Sequence, residues 1–476
     1  MVVQHNMQAA NANRMLNVTT GQQAKSTEKL SSGYRINRAA DDAAGLSISE
    51  KMRKQIRGLD KASSNAEDGV SSVQTAEGAL TEVHSMLQRM NELATQSANG
   101  TNSTTDRSAI QDEISQLTTE IDRVAETTKF NETYLLKGGD GTKLEYMKGH
   151  DAGLKGTLTD GTTTATFKVA AGALDEGKSV TIGGKDYTIG SAVADVQGAV
   201  DKLTTAGDKV TVNDKTYTYV AKDSAVPGGQ TVTKAGWVLD GDKVSTEGIT
   251  LTIANGDKVT TTTKAGASAS YTAAEMDNGV SKADPSIISA EKAVSLMKDE
   301  LIAANKVGVT NGTVEITGNP AYDKDNGVTF NINKGSAEVA NKLSFSLHVG
   351  SDADMTNKIT VGIETMNSSY LGIKGLNVND DSGIAGTYAI DAISDALQKV
   401  SDQRSSLGAV QNRLEHTIDN LDNVVENTTS AESRIRDTDM AKEMVNYSKN
   451  NILAQAGQSM LAQANQSNQG VLSLLQ

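Results

Sequence analysis

The sequence predicts an α+β fold: a long helical, coiled-coil-like rod built from both chain ends, with strand-rich α/β outer domain(s) inserted in the middle. Composition supports this, because about residues 1–135 and 385–476 are rich in Ala, Gln, Asn, Ser, Glu and Leu, whereas about 140–380 is rich in Gly, Thr, Val and Lys. Spacing agrees, because apolar residues recur at helical intervals in both ends and short strand-like runs fill the middle.

Bulk properties exclude several classes of protein. The chain has 476 residues, a net charge of −14 and no Cys, which rules out disulfides, thiolate catalysis and Cys-ligated zinc. The acidic charge disfavours nucleic acid and anionic membranes as partners. No apolar run is long enough to insert into a membrane. The first residues lack a basic and then apolar leader, so we expect export, if any, without a cleaved signal peptide.

The longest apolar stripe predicts a helix from about 43 to 99. Its mean step is about 3.5 residues, the coiled-coil repeat, and Asn99-Gly100 suits its end. Ser103 with Asp106 is a predicted start for the next helix, and Asp41-Asp42 is interpreted as a cap before the long one. The stripe comprises Met52, Ile56, Leu59, Ala62, Ala66, Val70, Val73, Ala76, Leu80, Val83, Leu87, Met90 and Ala94.

Two further stripes complete the predicted rod. One follows Ser103, and the other lies towards the carboxyl end, where Arg404 and Gln411 interrupt it. With nothing else to bury them, the three stripes should pack on one another. Their members are Ile110, Ile114, Leu117, Ile121 and Val124, and then Ile393, Leu397, Val400, Leu407, Leu414, Ile418, Leu421 and Val425.

The last segment differs from an ordinary surface helix because no residue from Asn450 to Gln476 is charged. A wet helix face normally carries charge, so we expect this one to contact protein or confined water. Its apolar side chains are the predicted assembly residues, and Ala464 lies near the same face. They are Leu453, Ala456, Met460, Val471 and Leu475.

The middle of the chain carries turn and strand signals. Residues 249–253 and 259–262 flank Asn255-Gly256, which predicts a β-hairpin. A weak repeat relates 180–188 to 210–218, and helical stretches near 191–204 and 286–304 interrupt the strands. One or two small α/β domains fit this pattern.

Motifs at both ends resemble those of bacterial flagellins. The amino-terminal ones are 30–37 (LSSGYRIN), 41–46 (DDAAGL) and 75–80 (TAEGAL), and the carboxyl-terminal ones are 434–441 (RIRDTDMA), 454–457 (AQAG) and 461–465 (LAQAN). Residues 343–350 and 358–363 resemble the hairpin that accompanies the flagellin rod. The resemblance covers about the first 140 and the last 95 residues.

The resemblance implies a structural, non-enzymatic subunit that polymerises with itself into the extracellular flagellar filament, without cofactors or bound metal. It implies export of the unfolded chain, an export chaperone at the C-terminus, and contacts with flagellar cap and junction proteins. It assigns 1–42 and 436–476 to inner terminal helices, 43–145 and 339–435 to a helical rod with a hairpin, and 146–338 to variable outer domain(s). A flagellar junction or cap-type protein is the alternative within the family.

The resemblance also implies recognition by Toll-like receptor 5. Residues 88–94 (QRMNELA) are similar to the receptor-binding stretch of many flagellins. Arg89, Leu93 and, on the next helix, Glu113 occupy the matching positions, whereas Asn91 departs from a basic residue common there. We expect Arg89 and Glu113 to face solvent and Leu93 to be an exposed apolar anchor.

Three patterns that mimic chemical sites are interpreted as chance matches. Residues 172–179 (GALDEGKS) fit a phosphate-binding loop, but a strand-like run follows where such a loop needs a helix. An ATPase that uses residues 172–179 is the competing hypothesis from another class of protein. Asp323 opens a calcium-loop pattern whose twelfth position is Lys334 instead of Glu. The five histidines are too scattered for a metal-ligand motif.

Overall fold

The computed structural model describes residues 6–225, 231–241, 247–380 and 382–473. Helices dominate both ends of this part of the chain, and strands dominate its middle, as the sequence predicts. The helices are α1 (Met7–Ser32), α2 (Ala43–Ala98), α3 (Thr104–Thr127), α4 (Val193–Asp201), α5 (Ala290–Asn305), α6 (Ser368–Leu371), α7 (Ile384–Arg436) and α8 (Met440–Ser473), with a 3₁₀ turn at Met355–Asn357.

The strands of the described residues are short, and all of them lie between α3 and α6. They are β1 (Lys129–Phe130), β2 (Thr133–Tyr134), β3 (Gly139–Tyr146), β4 (Thr157–Asp160), β5 (Thr164–Val169), β6 (Ser179–Ile182), β7 (Lys185–Ile189), β8 (Ser191–Ala192), β9 (Lys209–Val212), β10 (Lys215–Val220), β11 (Gly236–Leu239), β12 (Lys258–Thr262), β13 (Ser268–Ala274), β14 (Met276–Asp277), β15 (Val280–Ser281), β16 (Ile287–Ile288), β17 (Glu315–Thr317), β18 (Val328–Asn333), β19 (Ser336–Asn341), β20 (Leu343–His348) and β21 (Lys358–Ile363).

Local sequence explains where the long helices begin. Asp42 Oδ1 accepts a hydrogen bond from Gly45 N at 2.8 Å, so the predicted cap before α2 is confirmed. Ser103 and Asp106 form a reciprocal capping box at the start of α3, in which each side chain satisfies a backbone N–H of the first turn.

The predicted stripes are confirmed as core. From Ala62 to Ala94 their members are buried, except the half-buried Val70, and the α7 positions Ile393, Val400, Leu407, Leu414 and Leu421 are buried as well.

The three largest sheets of the described middle region surround its two largest hydrophobic cores. The first core lies between a five-stranded sheet (β14-β15-β16-β7-β6), a four-stranded sheet (β17-β18-β5-β4) and α5, and includes the ring contact of Phe167 with Phe330. The second core lies between a six-stranded sheet (β11-β10-β9-β12-β13-β8) and α4, around Val196, Val200 and Trp237. Strands β3 and β19 pair antiparallel beside them.

The hairpin predicted at Asn255-Gly256 is wrong. Strand β12 pairs with β9 on one edge and β13 on the other, so residues 249–253 have no free edge to join. Instead, Leu251 and Ile253 enter the second core, and the Gln197 side chain bonds their backbone, accepting from Ile253 N at 2.8 Å. Asn255-Gly256 still forms a turn, with Gly256 at a φ of 92°, but burial of Leu251 and Ile253 in the second core takes the preceding segment away from β12.

Other predictions for the middle region are confirmed. The internal repeat corresponds to two hairpins, β6–β7 and β9–β10, whose turns contain positive-φ residues at Gly183, Gly184, Asn213 and Asp214. The two predicted helices are α4 and α5, and the predicted rod hairpin is β20–β21.

The chain divides into two compact units. The first contains Met1–Gln74, Phe345–Val361 and Leu407–Gln476, and the second contains Thr75–Ser344 and Gly362–Ser406. Within the first unit, Ala66 and Leu414 pack with Val349 and Ile359 of the β20–β21 hairpin region. Both cores of the middle region belong to the second unit.

Candidate assembly and recognition surfaces

Two of the terminal motifs meet in the first unit. Arg35 N donates to Arg436 O at 2.7 Å, and Thr438 N donates to Gly33 O at 2.9 Å. Gly33 caps α1 in a left-handed conformation, with a φ of 75° that disfavours other residues. The Arg436 guanidinium lies 4.8 Å from the Tyr34 ring centroid, a favourable cation–π distance. The turn after α1 and the turn before α8 are therefore held together by backbone hydrogen bonds and by the contact of Arg436 with Tyr34.

Arg436 also anchors this turn to α2. Its Nη1 atom pairs with Glu50 Oε1 at 2.6 Å, while the Arg436 side chain is 13% exposed. The hydrogen bond from Arg436 holds the pKa of the Glu50 carboxyl below its usual value. Arg53 and Glu432 approach within 3.9 Å on the same two helices. These two ion pairs hold the end of α7, next to the start of α8, against α2.

Beyond that turn, α1 and α8 lie side by side but bury few side chains. Asn6 Nδ2 donates to Ala464 O at 3.1 Å near the far end of the pair. Among the side chains described on these two helices, those of Ser26, Asn450 and Ala454 are buried. A helix pair with so little core gains little stability from its own packing.

Large apolar side chains are instead exposed along both helices. Leu453 is 47% exposed and Met460 is 68% exposed, and Ala456 is exposed beside them. The side chain of Val471 and the whole of Leu475 lie outside the described residues. The further exposed members are Met7, Met15 and Val18 on α1, and Met440, Met444, Val445 and Ile452 on α8. An apolar surface of this extent is typical of a protein–protein contact.

A shallow groove of about 500 Å³ follows part of this surface on α8. Lys449 is the charged residue among those lining it, and Ser448 adds a hydroxyl. The apolar lining comes from Met444, Val445, Ile452 and Leu453. The groove offers flexible methionine and branched side chains that can repack against a partner.

The predicted receptor residues lie in the second unit, and the structure brings two of them together. Arg89 Nε donates to Glu113 Oε1 at 2.9 Å, with side chains 51% and 44% exposed. Arg89 Nη1 also pairs with Glu92 at 3.1 Å. The hydrogen bonds that Arg89 donates, first to Glu113 and then to Glu92, raise the pKa of Arg89. The expected exposure of Arg89 and Glu113 is confirmed.

Leu93 does not lie where we expected. Its side chain is 2% exposed, so the expectation of an exposed apolar anchor is wrong. Met90 and Ala94 on the predicted stripe are buried as well. The buried face of α2 is therefore wider here than the coiled-coil seam, as happens when a helix packs against more than one neighbour.

The phosphate-loop pattern does not form a phosphate site. Ser179 begins strand β6, and no helix follows within the described residues until Val193, so the backbone N–H groups of a helix terminus are missing from the pattern. Asp175 and Glu176 lie inside the loop, where Asp175 Oδ1 accepts from the Tyr322 hydroxyl at 2.8 Å. The competing ATPase hypothesis loses its structural basis.

The calcium-loop pattern is an ordinary turn. Asp323 Oδ1 accepts from Asp325 N at 3.0 Å, and Asp323 Oδ2 accepts from Asn326 Nδ2 at 2.9 Å. Across the described residues, no group of three or more His, Asp or Glu side chains is placed to hold a metal ion. None of the described helices combines the length and apolarity needed to cross a membrane.

Sequence reasoning missed a buried arginine. The Arg107 side chain is 3% exposed, although it lies in the first turn of α3. Its guanidinium donates to Ser97 O at 2.9 Å, to Asn99 O at 3.2 Å and to Asp380 O at 3.1 Å. It thereby caps carbonyl groups at the end of α2. An Arg next to a helix start gives no local signal of such burial.

Comparison with known proteins agrees with this architecture. The model for the bacterial flagellin N-terminal helical region matches residues 3–140, and that for the C-terminal helical region matches 390–475. The chain is 40% identical to a flagellin of Clostridium tyrobutyricum, over 98% of this chain and 100% of that one. It is 34% identical to a flagellin of Halalkalibacterium halodurans and to one of Bacillus subtilis, with full coverage of both chains in each case.

A solved structure of FliC from Burkholderia pseudomallei matches 72% of this chain and 99% of its own chain, at 18% identity and a TM-score of 0.28.

Long helices at both chain ends around a strand-rich insertion, with apolar surface left exposed on the terminal helices, define a structural protein that assembles with other subunits. The chain belongs to the bacterial flagellin family. Flagellins are structural proteins that polymerise into the flagellar filament, which is extracellular.

Proposed function

We propose that the α1–α8 pair is the surface through which this flagellin joins copies of itself. The observation that carries the proposal is the exposure of large apolar side chains on both helices of a pair that buries few of its own. Covering such side chains in a subunit contact gains about 25 cal/mol for each Å² removed from water. In the proposed division, residues 1–42 and 436–476 form the inner filament, 43–145 and 339–435 surround it, and 146–338 lies outside.

Polymerisation of α8 variants tests the assembly surface. Met460→Asp should leave a soluble chain that forms no filaments under conditions in which the unaltered chain does, because a charge would have to be buried in the contact. Met460→Leu keeps the apolar surface and is the matched control. Electron microscopy gives the readout. Normal filaments from Met460→Asp would refute the assigned surface.

The same assay separates the alternative. A junction or cap-type protein would add to the ends of existing filaments without polymerising by itself. Purified chain that fails to polymerise alone, but binds filament ends of another flagellin, would favour that alternative. The full-length identity to flagellins favours the filament subunit.

We infer that Arg89 and Glu113 form part of a Toll-like receptor 5 contact. Support comes from the family motif and from the two side chains being exposed and adjacent. Charge-assisted hydrogen bonds from such a pair are strong where a partner excludes water. With Leu93 buried, the apolar part of the contact must come from other residues.

Export unfolded and without a cleaved signal, an export chaperone at the C-terminus, and contacts with cap and junction proteins are proposed from the family alone. The exposed apolar side chains of α8 suit a chaperone that covers them before assembly. Pull-down of a secretion chaperone by the full chain, and its loss on removal of residues 450–476, would test this partner.

A further inference from the structure

Methionines are concentrated among the exposed apolar residues of α1 and α8. Of the methionines that the structure describes, six have exposed side chains, and five of these six lie on the two terminal helices. The five are 48–74% exposed, and they are Met7, Met15, Met440, Met444 and Met460. The sixth, Met355, is 73% exposed in the 3₁₀ turn of the same unit. The α1–α8 surface is therefore rich in thioether groups that reach solvent.

Three of these methionines line grooves on the helix pair. Met444 lines the α8 groove of about 500 Å³, beside the branched side chains of Val445 and Ile452. Met15 of α1 and Met460 of α8 line a second groove, of about 660 Å³, to which both helices contribute. A partner that fills either groove has to cover methionine sulfur.

Methionines elsewhere in the described chain are more enclosed. Met90, Met297 and Met366 of the second unit are each at most 1% exposed. The half-buried methionines are Met52, Met86 and Met276. Because oxidation of methionine depends on access to the sulfur, an oxidant in solution should modify α1, α8 and Met355 before the packed interior.

We propose that the methionines of α1 and α8 are a modification site through which peroxide controls subunit assembly, an inference that rests on the proposed function of this helix pair. The thioether sulfur attacks one oxygen of the peroxide, the O–O bond breaks, and a sulfoxide S–O bond forms while water leaves. The sulfur loses two electrons and the peroxide gains them. A methionine sulfoxide reductase with a dithiol reductant reverses the change and yields the thioether, a disulfide and water.

The sulfoxide opposes assembly because it is polar. A contact that encloses a thioether among apolar side chains would have to enclose an S–O dipole instead, and burial of a polar group without a matching donor is unfavourable. The flexible apolar side chain that repacks against a partner is lost as well. Oxidised subunits should therefore join filaments poorly, whereas reduced subunits join normally and have their sulfurs shielded once the contact forms.

Sorting of partly oxidised subunits tests the proposal. The full-length monomer is treated with hydrogen peroxide until the exposed methionines are partly oxidised, and it is then freed of peroxide and polymerised. Filaments are separated from free subunits by sedimentation, and peptide mass spectrometry gives the sulfoxide fraction at each methionine. Sulfoxide at Met444 and Met460 should be enriched about fivefold or more among the free subunits. Sulfoxide at Met355 is the internal control and should divide evenly, and sulfoxide reductase should return the free subunits to filaments.

Even division of sulfoxide at Met444, Met460 and Met355 would overturn the proposal. Met→Leu at all five positions of α1 and α8 keeps the surface apolar but removes the sulfurs, so this chain should polymerise after a peroxide treatment that blocks the unaltered chain. Met355→Leu is the matched control and should stay sensitive. If the fivefold variant does not polymerise untreated, the sorting of the unaltered chain decides.

A fivefold variant that polymerises untreated but is blocked by peroxide as fully as the unaltered chain would also refute control by these methionines. The assembly surface itself would survive either negative result, provided that Met460→Asp still forms no filaments. Normal filaments from Met460→Asp would instead refute the proposed surface, and the two failures are thereby distinguished.

Discussion

Arg89 and Glu113 form an ion pair between α2 and α3, with Nε and Oε1 2.9 Å apart and both side chains about half exposed. An exposed ion pair of this kind contributes little to folding because water and salt screen it. The same exposure leaves both side chains free to exchange one partner for another. The pair is therefore a surface feature that can be removed without unfolding the chain.

The first prediction separates recognition from folding. Arg89→Ala with Glu113→Ala should keep the thermal midpoint within a few degrees of the unaltered monomer, and should reduce activation of Toll-like receptor 5 in a reporter assay. The control is Arg123→Ala with Glu120→Ala, an exposed pair within α3, which should signal normally. Equal activation of the receptor by both double variants would show that Arg89 and Glu113 are not part of the receptor site.

The second prediction concerns Leu93, whose side chain is 2% exposed. Leu93→Ala should destabilise the second unit by about 2–5 kcal/mol, because it leaves a cavity in a packed core. Leu93→Met conserves volume and should cost less than about 1.5 kcal/mol. Urea unfolding followed by circular dichroism measures both. Loss of signalling by Leu93→Ala with unchanged stability would instead indicate direct receptor contact.

The sequence predicted what depends on local spacing and composition. The α2 stripe was recognisable because a repeat of about 3.5 residues requires only the chain itself. Leu93 and Arg107 were missed because their burial depends on elements distant in sequence, such as the backbone of Asp380 that accepts from Arg107. The Asn255-Gly256 hairpin failed for the same reason, since both edges of β12 were occupied by other strands.

The third prediction tests Arg107. Arg107→Lys should destabilise the second unit, because a single ammonium group cannot reach the carbonyls of Ser97, Asn99 and Asp380 together. The bond from Arg107 to Ser97 O is buried, and a buried carbonyl left without a donor costs about 1–3 kcal/mol. Hydrogen exchange should increase at the end of α2 and the start of α3. Arg123→Lys, at an exposed site on the same helix, should change neither, and an unaltered unfolding midpoint in Arg107→Lys would contradict the capping role.

The last prediction concerns the insertion between the helical ends. Strands β3 and β19 pair antiparallel with Tyr146 opposite Ser336, so the chain leaves and returns at neighbouring positions. Removing 147–335 and joining the two strands by a short Gly/Ser turn should preserve this ladder, since closing a short loop costs little entropy. The deletion would uncover Tyr388, because its side chain is packed against the first core, where it is 7% exposed, and its hydroxyl donates to Glu300.

The shortened chain should therefore carry Tyr388→Gln and Ile384→Gln, which replace apolar surface uncovered by the deletion; the deletion alone is the control for solubility. We expect filaments to form, because the proposed assembly surface lies on α1 and α8 and is untouched. They should be narrower than those of the full chain, because the deleted residues belong to the proposed outer region. Electron microscopy gives the diameter, and circular dichroism shows whether the helical ends are folded. Folded ends without filaments, under conditions in which the full chain polymerises, would mean that the middle region takes part in assembly.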